Sequence, residues 1–105
     1  MVLEIYDGGL LIKDPNATAV YVADWDRVGL PAGVSLVDGG ILTVRPEDAS
    51  LVVGAPRLLS GNRKTQFSVS GGRKGRRYRI THRVTTDGSP AEVPERSFYL
   101  LIQEQ

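Results

Sequence analysis

Turn signals cut this chain at short intervals: Gly8-Gly9, Asp14-Pro15-Asn16, Pro31-Ala32-Gly33, Asp38-Gly39-Gly40, Arg45-Pro46-Glu47-Asp48, Ala55-Pro56, Ser60-Gly61-Asn62, Gly71-Gly72 and Asp87-Gly88-Ser89-Pro90. Proline brings no amide donor, and glycine takes backbone angles closed to other residues, so each cluster ends the regular element before it. The gaps suit strands and leave little room for helices of ordinary length.

Between the turns, period-two alternation recurs. From Thr18 to Asp24, Val20 and Val22 share one face and Ala19, Tyr21 and Ala23 the other. From Thr65 to Ser70, Phe67 and Val69 alternate with Gln66, Ser68 and Ser70; from Arg77 to Thr85, Tyr78, Ile80, His82 and Val84 oppose Arg77, Arg79, Thr81, Arg83 and Thr85. From Arg96 to Gln103, Phe98, Leu100 and Ile102 oppose Ser97, Tyr99 and Leu101. Such strands pack one face and wet the other. With about seven to nine of them, an all-β, two-sheet antiparallel sandwich is the most economical architecture, ahead of a small closed barrel. Residues 45–50 are expected to form a single helical turn, with proline at its start and carboxylates near that end.

One corner specifies the sandwich further. Ser70-Gly71-Gly72-Arg73-Lys74-Gly75-Arg76-Arg77-Tyr78 is a glycine turn that opens into a strand with a tyrosine just inside it. Immunoglobulin-like sandwiches pin an edge this way, with the ring over the core and the hydroxyl bonded to backbone upstream. Tyr78 and Gly75 are therefore the expected corner, and Trp25, Phe67, Ile80, Val84, Phe98, Leu100 and Ile102 the expected core.

The composition narrows function. The 105 residues suit one domain, spanning 1–105, with residues 1–10 read as an added N-terminal strand. Cysteine is absent, so packing and hydrogen bonds must supply stability, and folding in a reducing cytoplasm is expected. Thirteen basic against twelve acidic residues leave a net charge of +1, which argues against a dedicated nucleic-acid binder. The start, Met1-Val2-Leu3-Glu4-Ile5-Tyr6-Asp7, has neither a basic leader nor a long apolar run, so no signal peptide and no membrane insertion are expected.

Several pieces, taken in order, resemble the phage fibre-tail adaptor proteins, small structural proteins of tailed bacteriophages and prophages. They are Lys13-Asp14-Pro15-Asn16-Ala17, Tyr21-Val22-Ala23-Asp24-Trp25, Ser70-Gly71-Gly72 with Gly75 and Tyr78, the run Tyr78 to Gly88, and Glu95-Arg96-Ser97. The resemblance covers about residues 13 to 102. Three features depart from it: the added first strand, Val28-Gly29 in place of an aromatic, and Ser89 to Pro94 lengthening the last hairpin. It implies a noncatalytic component, made in the bacterial cytoplasm and built into the virion tail. The implied partners are other phage tail or fibre proteins, with a homo-oligomer in the virion left open. The alternative is a stand-alone recognition module for carbohydrate or peptide.

Several side chains that could carry chemistry have plainer readings. Arg73, Lys74, Arg76, Arg77, Arg79 and Arg83 can track phosphate, but alternation sends Arg77, Arg79 and Arg83 to one side, where Glu92, Glu95 or Glu104 can pair with them. His82, the lone histidine, shares the packed face and has no second histidine or cysteine to build chemistry with. Asp24-Trp25-Asp26, with Asp14, lacks the pattern of a calcium loop and reads as turns in which aspartates bond local backbone beside a packed Trp25. Asn16-Ala17-Thr18 matches a glycosylation acceptor, and with no signal peptide expected the match is read as chance. No catalytic, cofactor or metal site is assigned.

Tyr99 and Leu101 carry the main functional expectation. With Phe98, Leu100 and Ile102 inward, they face outward on a terminal strand expected near a sheet edge, and with Arg77, Arg79 and Arg83 they form the candidate protein interface. The competing reading is that Leu3, Ile5 and Tyr6 of the first segment cover them.

Overall fold

The computed structural model describes residues 2–4, 8–28, 30–88 and 93–104, with the backbone alone at 2–4, 27 and 28. Among these residues run nine strands: β1 Val2–Glu4, β2 Leu10–Lys13, β3 Thr18–Asp24, β4 Ile41–Arg45, β5 Leu51–Val53, β6 Arg57–Leu58, β7 Lys64–Gly71, β8 Arg77–Arg83 and β9 Glu95–Ile102. A five-stranded sheet has the order β1-β3-β7-β5, with β6 also on β7; a four-stranded sheet has the order β2-β9-β8-β4. The fold is all-β, as the alternation requires.

The inward faces meet in one apolar cluster. Tyr21, Phe67 and Val69 come from the five-stranded sheet, and Tyr78, Ile80, Phe98, Leu100 and Ile102 from the other; all are at most 2% exposed. Rings bridge the layers: Tyr21 lies 5.7 Å and Phe67 6.1 Å from Phe98, centroid to centroid, in tilted arrangements that add about 0.5–1.5 kcal/mol per pair beyond burial. Trp25 and Val84 are 1% exposed and join the same cluster.

The sheets are not purely antiparallel. β1 runs parallel to β3, and β2 parallel to β9, while the other ladders are antiparallel. Side chains alternate alike in both kinds of ladder, so the sequence pattern does not distinguish them.

Three further expectations change. The N-terminal residues form two strands in different sheets rather than one: β1 lies beside β3, with Leu3 opposite Tyr21, and β2 lies beside β9. Leu3 is thus in the sheet opposite Tyr99, and Ile5 and Tyr6 lie outside the described residues. β9 is an interior strand, flanked by β2 and β8, and the edge strands of that sheet are β2 and β4.

Residues 45–50 form no helical turn. The Asp48 carboxylate accepts from the Ser50 amide at 2.9 Å and from the Ser50 hydroxyl at 2.8 Å, a local bond that closes a tight turn in place of a helix. The described helical turn is a 3-10 one at Trp25–Val28. Asp24 accepts from the Asp26 amide at 3.1 Å across its start, and Asp14 accepts from the Asn16 amide at 2.8 Å. The lengthened hairpin at 89–94 falls largely outside the described residues, as does Gly29.

Candidate functional site

The glycine corner is built around a phenol. The Tyr78 side chain is fully buried, and its hydroxyl accepts from the Arg73 amide at 3.1 Å and donates to Asp48 Oδ2 at 2.7 Å. The contact to upstream backbone is the one expected of such a tyrosine; the Asp48 carboxylate is a partner that sequence reasoning missed. Arg73 Nε lies 3.1 Å and Arg76 Nη1 3.8 Å from the same oxygen. These groups hold the Asp48 carboxyl well below the usual carboxylate range, the Tyr78 hydrogen bond first, then the two bonds from Ser50, with Arg73 adding its charge. The chain turns here through Gly71 and Gly72, both at positive φ, and the Gly75 amide donates to the Ile102 carbonyl at 2.6 Å.

Lys13 closes the same end from the other side. Only 3% exposed, it donates from Nζ to the Asp14 and Gly71 carbonyls, each at 2.8 Å, and so ties β2 to the end of β7 in the opposite sheet. Burial pushes its pKa down, against the opposing pull of Asp14. Alternation along Leu10-Leu11-Ile12-Lys13 carried this signal, because an inward Leu11 forces Lys13 inward too.

At the opposite end the rings and a buried imidazole meet. Trp25 Nε1 donates to Thr65 Oγ1 at 3.0 Å, and His82 stands edge-on to Trp25 and Phe67, at 5.4 and 5.6 Å. His82 Nε2 lies 2.7 Å from the Gly39 carbonyl, an acceptor, so Nε2 carries the proton; Nδ1 has no partner among the described residues. Burial lowers the His82 pKa, and the Gly39 carbonyl pulls the other way. Arg63, also missed from sequence, gathers the loop after Trp25: its guanidinium donates to Asp26 and to the Leu30, Pro31 and Val34 carbonyls.

The outer face of the four-stranded sheet holds the rest of the predicted residues. In register, Ile12, Leu101 and Arg77 form one row, and Leu10, Tyr99, Arg79 and Arg45 the next. Tyr99 and Leu101 are half-buried, flanked by Leu10 and Ile12 at 50% and 47% exposure. Arg77 lies over the Tyr99 ring at 5.8 Å, and Arg79 reaches Ser97 Oγ at 3.4 Å. Arg83 sits apart from them, donating from Nε and Nη2 to the one oxygen Glu95 Oε2 at 3.0 and 2.8 Å, beside exposed Ile41. Lys74 pairs with Glu104 at 3.4 Å, and Glu92 lies outside the described residues. The structure therefore brings Arg77, Arg79, Tyr99 and Leu101 into one patch, adds Leu10 and Ile12, and leaves Arg83 outside it.

Among the described residues, no group of three or more His, Cys, Asp or Glu is placed to hold a metal ion, and no helix is long and apolar enough to cross a membrane. What the described residues form is a pair of stacked sheets with a patterned, partly apolar outer surface, the make-up of a small all-β protein. The family model of the podophage GP4 fiber-tail adaptor protein gp77 matches residues 13–101, and the chain belongs to that family. The match begins at the buried Lys13, the last residue of β2, and takes in β3 to β8 and nearly all of β9. No curated protein matches the chain.

Proposed function

We propose that this protein is a noncatalytic connector of a phage particle, joining the tail to fibre proteins through its surfaces. The observation that carries the reading is the fiber-tail adaptor match across residues 13–101, from the end of β2 through most of β9. The architecture supports it physically. Stacked sheets bridged by ring contacts, with a corner fixed at Tyr78 and a cross-sheet tie at Lys13, make a body that transmits position between larger partners. In a symmetric particle each copy's contact is repeated, so modest interfaces combine through avidity. Synthesis in the bacterial cytoplasm and incorporation into the tail follow from this reading.

The test is co-expression with the structural proteins encoded beside it, followed by pull-down from each side. Capture of a tail component and a fibre component is expected. Leu101→Glu, on the outer face of β9, is expected to keep the thermal melt of a folded protein while capture by one of the two falls. Failure of the unaltered protein to hold either one overturns the reading.

A further inference from the structure

The arginines of the β8 corner and strand divide into two kinds. Arg73 and Arg76 are satisfied by Asp48, and Arg83 by Glu95. Arg77 and Arg79 have no carboxylate among the described residues: one lies over a tyrosine ring and the other touches a serine hydroxyl. Beside them the surface turns apolar, through Tyr99 and Leu101 to Leu10 and Ile12 on the edge strand β2, which are about half exposed. A monomer gains nothing from leaving this strip in water.

We propose that this face docks a different protein of the particle, one that presents carboxylates to Arg77 and Arg79 alongside an apolar ridge that covers Leu10, Ile12, Tyr99 and Leu101. The proposal rests on the connector reading and names the chemistry of one of its partners. A guanidinium covered by a partner must find an acceptor, because a desolvated, unpaired charge costs more than the apolar contact beside it returns. Among the described residues, the carboxylates that a second copy brings beside the same face are already held, Glu95 by Arg83 and Glu47 by Arg45. Nucleic acid would supply anions, but it gives no apolar cover for Leu10 and Ile12, and the chain's net charge is only +1. Arginine suits such a contact, because its planar fork binds a carboxylate with two bonds while its face stays on Tyr99.

The experiment measures the affinity of the tail or fibre protein captured in the co-expression test for three variants. They are Arg77→Glu/Arg79→Glu, Arg77→Lys/Arg79→Lys, and a control, Arg57→Glu, on β6 of the other sheet. All change exposed side chains, and a thermal melt checks each fold. Charge reversal is expected to weaken binding about tenfold or more, with the lysine pair between it and the original and the control unchanged. Leu10→Asp, a second exposed change, is expected to weaken the same partner, and hydrogen exchange to show protection at 10–12 and 98–101 in the complex. Undiminished binding by the reversed variant overturns this proposal while the connector reading stands; absence of any captured partner overturns both. Dimerisation of the isolated chain that is lost on charge reversal reassigns the face to a second copy, and salt-sensitive binding of a short DNA duplex that is lost with the same variant reassigns it to phosphate.

Discussion

Two buried phenols in this core stand in opposite hydrogen-bonding states. The Tyr78 hydroxyl is satisfied on both sides, by the Arg73 amide and Asp48, whereas the Tyr21 hydroxyl has no partner among the described residues, and burial raises its pKa to about 12. Removing the hydroxyl of Tyr78 takes one donor from a mostly buried carboxylate and the acceptor from the Arg73 amide, so Tyr78→Phe is expected to cost about 1–3 kcal/mol in urea unfolding. Tyr21→Phe deletes a polar atom that gains nothing, and the same measurement should show unchanged stability or a gain of up to about 1 kcal/mol. Equal losses for the two variants would contradict this account of the core. Alternation placed the Tyr78 ring inward and put Tyr21 on one face of its strand without deciding which face is packed. It was silent on their hydroxyls, because the partner of one is thirty residues away in a turn and the other has none among the described residues.

At the scale of elements, turn spacing and alternation located the long strands closely: the reading from Thr18 to Asp24 coincides with β3, and the others fall within a few residues of β7, β8 and β9. Short strands such as β5 and β6 carry too few residues for a period to show, and their place beside β7 comes from ladder bonds to one long partner. The corner depends on glycine for a steric reason. Gly71 has φ +74°, and a Cβ there would stand 2.2 Å from the Ser50 carbonyl oxygen. Gly71→Ala is therefore expected to lower stability by about 2 kcal/mol or more, through left-handed strain plus displacement of the Ser50 turn. Gly75→Ala serves as the comparison, since its φ is also positive but nothing lies within 4 Å of the added carbon. A denaturant midpoint that drops equally for both would assign the effect to φ alone.

At the scale of the whole molecule, three perturbed groups among the described residues respond to acid: His82, Asp48 and Asp26, whose carboxyl the Arg63 hydrogen bond holds low in the same direction as Asp48. His82 is a base whose folded pKa lies below its ordinary 6.5, so the unfolded chain binds its proton more readily; the stability from the neutral ring is present above about 6.5 and is lost as pH falls from there toward the folded value. Asp48 is an acid whose folded pKa lies below its ordinary 3.8, so its contribution is present above that value and is lost as pH falls through and below it. Urea midpoints are therefore expected to be level above neutrality, to decline from about pH 6.5, and to fall again below about pH 4. A folded His82→Gln variant should lose the upper decline and keep the lower one; persistence of the upper decline would assign it to another group.

Sequence by itself determined the class of the fold, the inward and outward faces of β7, β8 and β9 and the place of the glycine turn, because turn chemistry and period-two alternation are local properties that each segment carries on its own. Tertiary structure decided which strands lie side by side. It put β9 inside its sheet, sent the first two strands to opposite layers, set Asp48 under Tyr78 and Lys13 against Gly71, and laid Leu10 and Ile12 beside Tyr99 and Leu101. Those neighbours are distant along the chain. Only the closure of the two sheets on a shared core selects among the many registers that the same alternation allows.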